Sequence, residues 1–590
     1  MRDTLKALIA AQLTALSAEF NTEITPEMID LPLPPDPSMG DYAINLPLRL
    51  AKVARQAPIK IAQRIAEVLA AQTDWFSRVE AVPPGYINLS LSNGTIARTL
   101  EAANQREDLA LRREGTPQTV VVDYSGVNIA KQMHVGHLRS TVIGDVIARV
   151  LAVRGEQVIR QNHLGGWGLP IAMVLWKAQP VLREIEAKHD TLHGQLTIAD
   201  LETLYREASQ ACKENEEAAD TCRRILVELQ NGDPQLLADW QKVVRLSMEE
   251  VYRVYGVMDV CLTPEDERGE SFYADRLADT VEAIRQCGKL VESQGALCVF
   301  LDQFKAKDGS PLPVLVQKSD GGFNYASFDL AAIRFRVNEL HADRVIYVTD
   351  ARQALHFAQI FAVADTCGWL THDAQTTSLE HVAFGSVLGE DNKPLKTRSG
   401  ENVKLADLLN EAIERAYAVV NEKNPTLPEE KKRKVAQAVG IGAVKYADLS
   451  HDRNNDYVFA WDRMLALNGN TAPYLQYAHA RICSIFRKAG LTEVPEAPIP
   501  LDHPAERALA VKLLELPEVV ARVEEDLRPH VLCGYLYELA TAFSSFYDNC
   551  PVLTAETPEL RASRLFLCHL SRRTLACGLG LLGIAAPQEM

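Results

Sequence analysis

Apolar positions along the chain change their period where the backbone is expected to change its conformation. Residues 119–124 (Thr-Val-Val-Val-Asp-Tyr) form an unbroken β-branched and aromatic run, the pattern of a strand buried on both faces of a parallel sheet. From Gly136 to about Val153 the period lengthens: Leu138, Val142, Ile143, Val146, Ile147 and Val150 fall on one helical face, and Gly155 stops the helix. Residues 157–161 return to a strand pattern. A strand, a helix and a strand in that order make a right-handed crossover unit, and ligands bind at its strand-to-helix loop. Here that loop carries His134 and His137. At a helix N-terminus the spacing aims two imidazoles, together with free backbone N–H groups, at an anion.

The remaining pattern divides the chain. Leu5, Leu8, Ile9, Leu13 and Leu16 make one helical stripe, interrupted by Arg2, Asp3, Lys6 and Glu19, so this start is not a signal peptide. A Pro-rich stretch at 31–43 and a Pro83-Pro84-Gly85 turn before a short strand complete an N-terminal unit of about 1–110. An α/β unit is expected over 111–380, with helical insertions over about 171–320, charge-rich over about 171–260, and another strand at 344–348. A connecting region covers 381–445, and 446–590 reads as a helix bundle whose core includes the apolar stretch 575–584. The predicted fold class is therefore multidomain α/β: a parallel-sheet core with insertions, an N-terminal α+β domain and a C-terminal all-α bundle.

Composition limits the function without choosing it. The 590 residues require several domains, and 47% hydrophobic with 24% charged residues describes an ordinary globular chain. No apolar run is long enough to span a bilayer, so no membrane partner is expected. The 11 cysteines are odd in number and scattered, without Cys-x-x-Cys, which indicates neither a disulfide framework nor a zinc knuckle, and points to a reducing cytoplasm. A net charge of −16 neither supports nor excludes a nucleic-acid partner, because binding needs only a local basic stripe.

The segment from Asp123 to Gly144 then carries the chemistry. Its His134-Val135-Gly136-His137 resembles the His-x-Gly-His signature of class I aminoacyl-tRNA synthetases, which implies a Rossmann-type catalytic core and ATP, with Mg²⁺, as co-substrate. The flanking Val-Asp-Tyr-Ser-Gly-Val-Asn-Ile-Ala-Lys resembles the arginyl-tRNA synthetase family within that class, with Val127 where Pro is common. Asn162-His163-Leu164-Gly165-Gly166-Trp167-Gly168 resembles it as well, with Gly166 where the family more often has Asp. The substrate fits by charge, since a guanidinium wants carboxylates and a flat neighbour. Asp123 ends the first strand; Tyr325 and Asp329 are four apart and share a helical face; Gln353 follows the strand at 344–348. The resemblance implies that Asp123, Gly126, Val127, Asn128, His137, Tyr325, Asp329 and Gln353 line the arginine pocket.

No Lys-Met-Ser-Lys-Ser string is present. At its expected place, residues 384–400 form a turn-rich loop with Lys393, Lys396 and Arg398. Many members of the family combine such a loop with a lysine just before the first histidine, and Lys131 fits. The resemblance assigns His134, His137, Lys131 and Lys396 to catalysis, and His134, Gly136, His137, Val382, Phe384, Lys393 and Lys396 to ATP. It implies no zinc or other tightly bound metal.

For tRNA(Arg), the resemblance makes 1–110 a domain that contacts the tRNA's outer corner, with Tyr42 and Tyr86 able to stack on a base, although at least one of the two suits a buried aromatic better. It makes the segment from Asn468 to Ile482 the opening of an anticodon-binding domain, offering Tyr477, His479 and Arg481. It also implies a monomer that requires bound tRNA before it activates arginine. Two alternatives stay open: a class I synthetase for another amino acid, against which the paired carboxylates Asp123 and Asp329 argue, and a non-catalytic RNA-binding relative, against which the intact His134, His137 and Gln353 argue.

Overall fold

The computed structural model describes residues 2–188, 195–372, 375–396, 402–491 and 497–590. At its centre is a four-stranded parallel sheet of Thr119–Asp123, Gln157–Gln161, Arg344–Asp350 and Ser378–Phe384. In space, Ser378–Phe384 lies beside Arg344–Asp350, then Thr119–Asp123, then Gln157–Gln161. Val120, Val121 and Val122 are wholly buried, as expected of a strand covered on both faces. The crossover from the first strand to the second is the helix Val135–Arg154, capped by Gly155 in the left-handed region at φ 101°. Leu138, Val142, Val146 and Val150 of this helix pack into the core, and the crevice opens at the carboxyl ends of the strands.

Ahead of the core, the helices Arg2–Leu13, Leu46–Ala54 and Pro58–Ala70 pack beside an antiparallel sheet of Tyr42–Ile44, Tyr86–Leu91 and Phe76–Val82. Leu5, Ile9 and Leu13 of the predicted stripe are fully buried. The insertion is helical through Leu169–Ala187, Ile198–Glu214, Glu216–Gln230, Pro234–Met258 and the shorter Leu277–Gln286. Its later part corrects the expectation of helix to about 320: Leu290–Ser293, Ala296–Val299 and Val314–Gln317 form an antiparallel sheet. The alternation of Val314-Leu315-Val316-Gln317, buried at the two valines, is the signal for it. Here too Cys287 and Cys367 face each other with Cα atoms 5.5 Å apart, a juxtaposition that 80 residues of separation concealed.

Beyond the core, two long helices, Leu405–Lys423 and Glu429–Leu449, pack together and lead to the C-terminal helices Ala472–Ala489, Pro504–Leu514, Leu516–Asp526, His530–Asn549 and Pro558–Leu581. The N-terminal domain leans on this bundle. Asp41 receives Arg507 Nη1 at 3.0 Å and Nη2 at 2.7 Å, and Asn93 Nδ2 donates to the Pro500 carbonyl at 2.9 Å.

Both the segment that leads into the bundle and the bundle itself are fastened to the helix that carries the two histidines. Arg139, two residues after His137, is buried with its Nε 3.2 Å from Asp448 Oδ2, and its Nη1 donates to the Asn455 carbonyl at 2.9 Å. Its guanidinium lies over the rings of Tyr457 and Phe384 at 5.3 and 5.8 Å. Burial pushes the Asp448 carboxyl up by more than Arg139 pulls it down, so this pair cannot lose either member cheaply. Farther along the same helix, Arg149 Nη1 donates to the Gly580 carbonyl at 3.2 Å and Arg154 Nε pairs with Glu524 at 2.7 Å.

Arg139→Met, which strands the Asp448 charge, is expected to destabilise the catalytic portion by about 3–5 kcal/mol. Adding Asp448→Leu should recover most of that loss. Thermal melts of the single and double variants check this; equal melting of the two would show that the pair does not act as a unit.

Candidate active site

The loop between Asp123 and the first helical turn is fixed by hydrogen bonds from three directions. Ser125 N donates to Ser140 Oγ at 2.9 Å, and Gly126 N donates to Asn162 Oδ1 at 3.0 Å. Val127 O and Ile129 N pair with the backbone of Gly165, which leaves Val127 buried and Asn128 exposed. Gly166, where the family more often has Asp, is packed so closely that a Cβ would lie 2.8 Å from Ile129 Cγ1. Glu270 Oε2 accepts from the Gly166 and Trp167 amides, each at 3.0 Å, so a carboxylate reaches this turn from elsewhere in the chain.

His134 is the N-cap of the signature helix. Its Nδ1 accepts from Gly136 N at 3.0 Å, while His134 N donates to His137 Nδ1 at 3.1 Å. Val135 N bonds the Val403 carbonyl at 2.9 Å, and His137 N the His134 carbonyl at 2.8 Å. The expectation of free amides at this terminus is thereby corrected, because the chain satisfies them itself and only the imidazole Nε2 atoms are left for an anion. Gly136 is required for this cap: a Cβ would fall 2.7 Å from His134 Cε1. The two rings lie 4.0 Å apart. Burial, with the nearby Lys131, holds His134 below its ordinary value. Burial, with His134 beside it, lowers His137 to about 3.

Lys131 lies three residues before His134 with its ammonium 5.0 Å from the centre of the Tyr205 ring, and the next amide, Gln132 N, donates to Glu202 Oε1 at 2.7 Å. Both partners belong to the insertion helix Ile198–Glu214. The turn-rich loop folds as a small hairpin in which Gly389 N bonds the Lys393 carbonyl at 2.8 Å and Leu395 N the Val387 carbonyl at 3.1 Å, with Lys393 and Lys396 exposed. After it the chain returns to the signature: Leu405 N bonds the Met133 carbonyl at 2.9 Å. Arg398 lies outside the described residues. Val382 and Phe384 have buried side chains at the end of the edge strand, so contact with a nucleotide there would come from the backbone.

On the other side of the crevice, Tyr325 begins the helix Tyr325–Asn338 and is 76% exposed, one turn before Asp329. Gln353 is exposed after the strand Arg344–Asp350, where the helix Ala354–Thr366 begins. Asp123 has an internal partner that the sequence reading did not anticipate: Arg336 Nη2 donates to its Oδ2 at 2.7 Å, and Arg336 Nε donates to Gln161 Oε1 at 2.7 Å. Burial opposes the Arg336 charge, but Asp123 beside it holds the guanidinium firmly ionised. Arg336 is seven residues after Asp329 on the same helix, but no local pattern pairs it with Asp123, 213 residues away. Burial pushes the Asp329 carboxyl up, yet the hydrogen bond from His356 and the charges around it bring the carboxyl below its ordinary value.

Two predicted tRNA contacts are corrected. Tyr42 is 3% exposed, with its hydroxyl donating to Glu518 Oε1 at 3.1 Å between the N-terminal domain and the bundle. His479 is 4% exposed, its Nδ1 2.9 Å from the Pro587 carbonyl. Neither ring can stack on a base. Tyr86 and Tyr477 are exposed, and the half-exposed Arg481 lies over the Tyr547 ring at 4.3 Å.

Three family descriptions match consecutive parts of the chain: "Arginyl tRNA synthetase N terminal domain" over 3–91, "tRNA synthetases class I (R), catalytic domain" over 99–461 and "DALR anticodon binding domain" over 475–590. The arginine–tRNA ligases of Azotobacter vinelandii and Pseudomonas fluorescens are 48% and 46% identical to it, each over all of both chains. The arginyl-tRNA synthetase structure from Thermus thermophilus superposes with a TM-score of 0.81 at 27% identity, covering 100% of both chains. That from Plasmodium falciparum gives 0.78 at 28%, covering 99% of this chain and 98% of the other. With its parallel-sheet crevice, its histidine-capped helix and these matches, the chain belongs to the arginyl-tRNA synthetase family of class I enzymes.

Proposed function

We infer that, in joining arginine to tRNA, this enzyme divides the work between a phosphate side, formed by His134, His137, Lys131 and Lys396, and an arginine side built on Asp329. One observation carries the reading: both imidazoles accept backbone hydrogen bonds at Nδ1 while burial keeps them neutral, so each bears its proton on Nε2 and presents a donor without a charge. ATP enters as its Mg²⁺ complex. The arginine carboxylate oxygen attacks the α-phosphorus, pyrophosphate leaves with the electrons of the broken P–O bond, and arginyl-adenylate remains. The 2′-hydroxyl of the tRNA's terminal adenosine then attacks the arginyl carbonyl, its proton passing to the adenylate phosphate as the C–O bond to AMP breaks and AMP leaves.

Catalysis on this reading is positioning and charge stabilisation. The Nε2–H donors meet phosphate oxygens as charge builds on them, while Lys131 and Lys396 supply the positive charge that neutral imidazoles lack. Lys131 is the better placed of the two, since Tyr205 and Glu202 fix its loop beside His134. Asp329, with Tyr325 and Gln353 nearby in the crevice, takes the guanidinium, while Asp123 is already balanced by Arg336 and shapes the pocket. Tyr86 and Tyr477 are the aromatic faces open to unstacked bases, one on the N-terminal domain and one on the bundle.

Lys131→Ala is expected to slow arginine activation by ~10²–10³ in single-turnover measurements with arginine binding kept, as for loss of a preorganised charge donor; a change within about twofold would remove Lys131 from the phosphate site. Asp329→Asn should weaken arginine use by ~1–3 kcal/mol, seen as a raised KM; an unchanged KM would remove Asp329 from the pocket. The nitrogen-15 shifts of His134 and His137 should report protonated Nε2 and unprotonated Nδ1 at neutral pH. Because His137 falls from 6.5 to about 3 on folding, its protonation should cost stability as pH drops through that window, with no cost above it. A doubly protonated His137 at pH 5 would contradict this.

A further inference from the structure

His356 stands behind the pocket and has no part in the reading so far. It lies three residues after Gln353, on the first turn of the helix Ala354–Thr366, and its Nε2–H donates to Asp329 Oδ2 at 2.6 Å. The contact joins two helices that enter the crevice from different strands. Asp329 is otherwise faced by His163, whose ring stacks on Tyr273 at 5.6 Å and whose buried Nδ1 has no hydrogen-bond partner among the described residues, and by Arg336, already committed to Asp123. His356 is thus the group that fixes the Asp329 carboxylate in direction. It is itself steadied by an aromatic neighbour: its ring meets the Phe357 ring edge-on at 5.3 Å, Phe357 stacks on the His381 ring at 4.7 Å, and His381 Nε2 is 2.8 Å from Thr349 Oγ1.

We propose that His356 is a positioning residue for arginine recognition: its Nε2–H takes one lone pair of Asp329 Oδ2 and fixes the plane of the carboxylate, so that Oδ1 and the remaining lone pair of Oδ2 meet the guanidinium. The inference rests on the reading that Asp329 takes the guanidinium. A carboxylate free to rotate would lose part of the two-bond geometry that distinguishes a guanidinium from a urea-like or aliphatic side chain. His356 does not touch the reacting phosphate or carboxylate, so its loss acts on binding and selectivity and spares the chemical step. Its side chain is 30% exposed, and its removal leaves no deeply buried cavity.

The test compares His356→Ala, His356→Gln and Asp329→Asn in tRNA-dependent aminoacylation with the full-length chain, using arginine and its neutral analogue citrulline as competing ligands. His356→Ala is expected to raise the arginine KM about tenfold with kcat within about twofold, and to narrow the preference for arginine over citrulline. His356→Gln, which keeps an N–H donor, should recover most of both. In the Asp329→Asn background, His356→Ala should add little, because the group it orients has gone. If Asp329→Asn raises KM and His356→Ala does not, the positioning role is overturned while the pocket stands. If neither moves KM, the pocket reading itself falls. A loss in kcat alone, or no recovery by Gln, would assign His356 to packing and overturn the proposal.

Discussion

The buried Arg139 guanidinium is the constraint on which the rest of the site depends. It lies two residues beyond His137, yet its partners are Asp448, the Asn455 carbonyl and the rings of Phe384 and Tyr457, all from the far end of the catalytic region. The histidine helix is therefore registered against the edge strand from which the lysine-bearing loop departs. A charge so deeply placed is costly unless every partner is in position, so one native arrangement is favoured over slipped alternatives. Without that registration the histidine helix and the lysine-bearing loop, more than 250 residues apart in sequence, would lose a shared anchor.

The same helix is also where the C-terminal bundle attaches. Arg149 reaches the Gly580 carbonyl and Arg154 reaches Glu524, while the buried Lys445 donates to the carbonyls of Met258 at 2.6 Å and Gly583 at 2.7 Å. Burial lowers that lysine to about 8. Insertion, bundle and signature helix thus meet at shared polar contacts, and Lys131 touches the insertion through Tyr205. The insertion and the bundle are both tied to the backbone that carries His134, His137 and Lys131.

What the sequence made legible follows from which forces are local. The strand Gln157–Gln161, the helix Val135–Arg154 and its glycine stop lay open because burial on a regular element imposes its own period. The order of Asp123, His134, Tyr325, Asp329 and Gln353 was readable as a motif, but their partners were not. Arg336 against Asp123, His356 against Asp329 and Cys287 against Cys367 are tertiary pairings that no local pattern announces. Tyr42 and His479 were misplaced for the same reason: each carries a polar tip on an apolar body, and only the packing of the N-terminal domain on the bundle, or of the C-terminal residues on the helix Ala472–Ala489, decides which side is covered. The free helix amides were misjudged because a histidine served as the cap, a role the sequence reading gave only to ligand binding.

The most direct measurement of this account is arginine-dependent exchange of pyrophosphate into ATP, with and without tRNA that accepts arginine. Exchange that depends on arginine and rises sharply when tRNA is added is the predicted result, because the C-terminal bundle bears on the helix that holds His134 and His137. Folded protein that shows no exchange with arginine and tRNA together would contradict it.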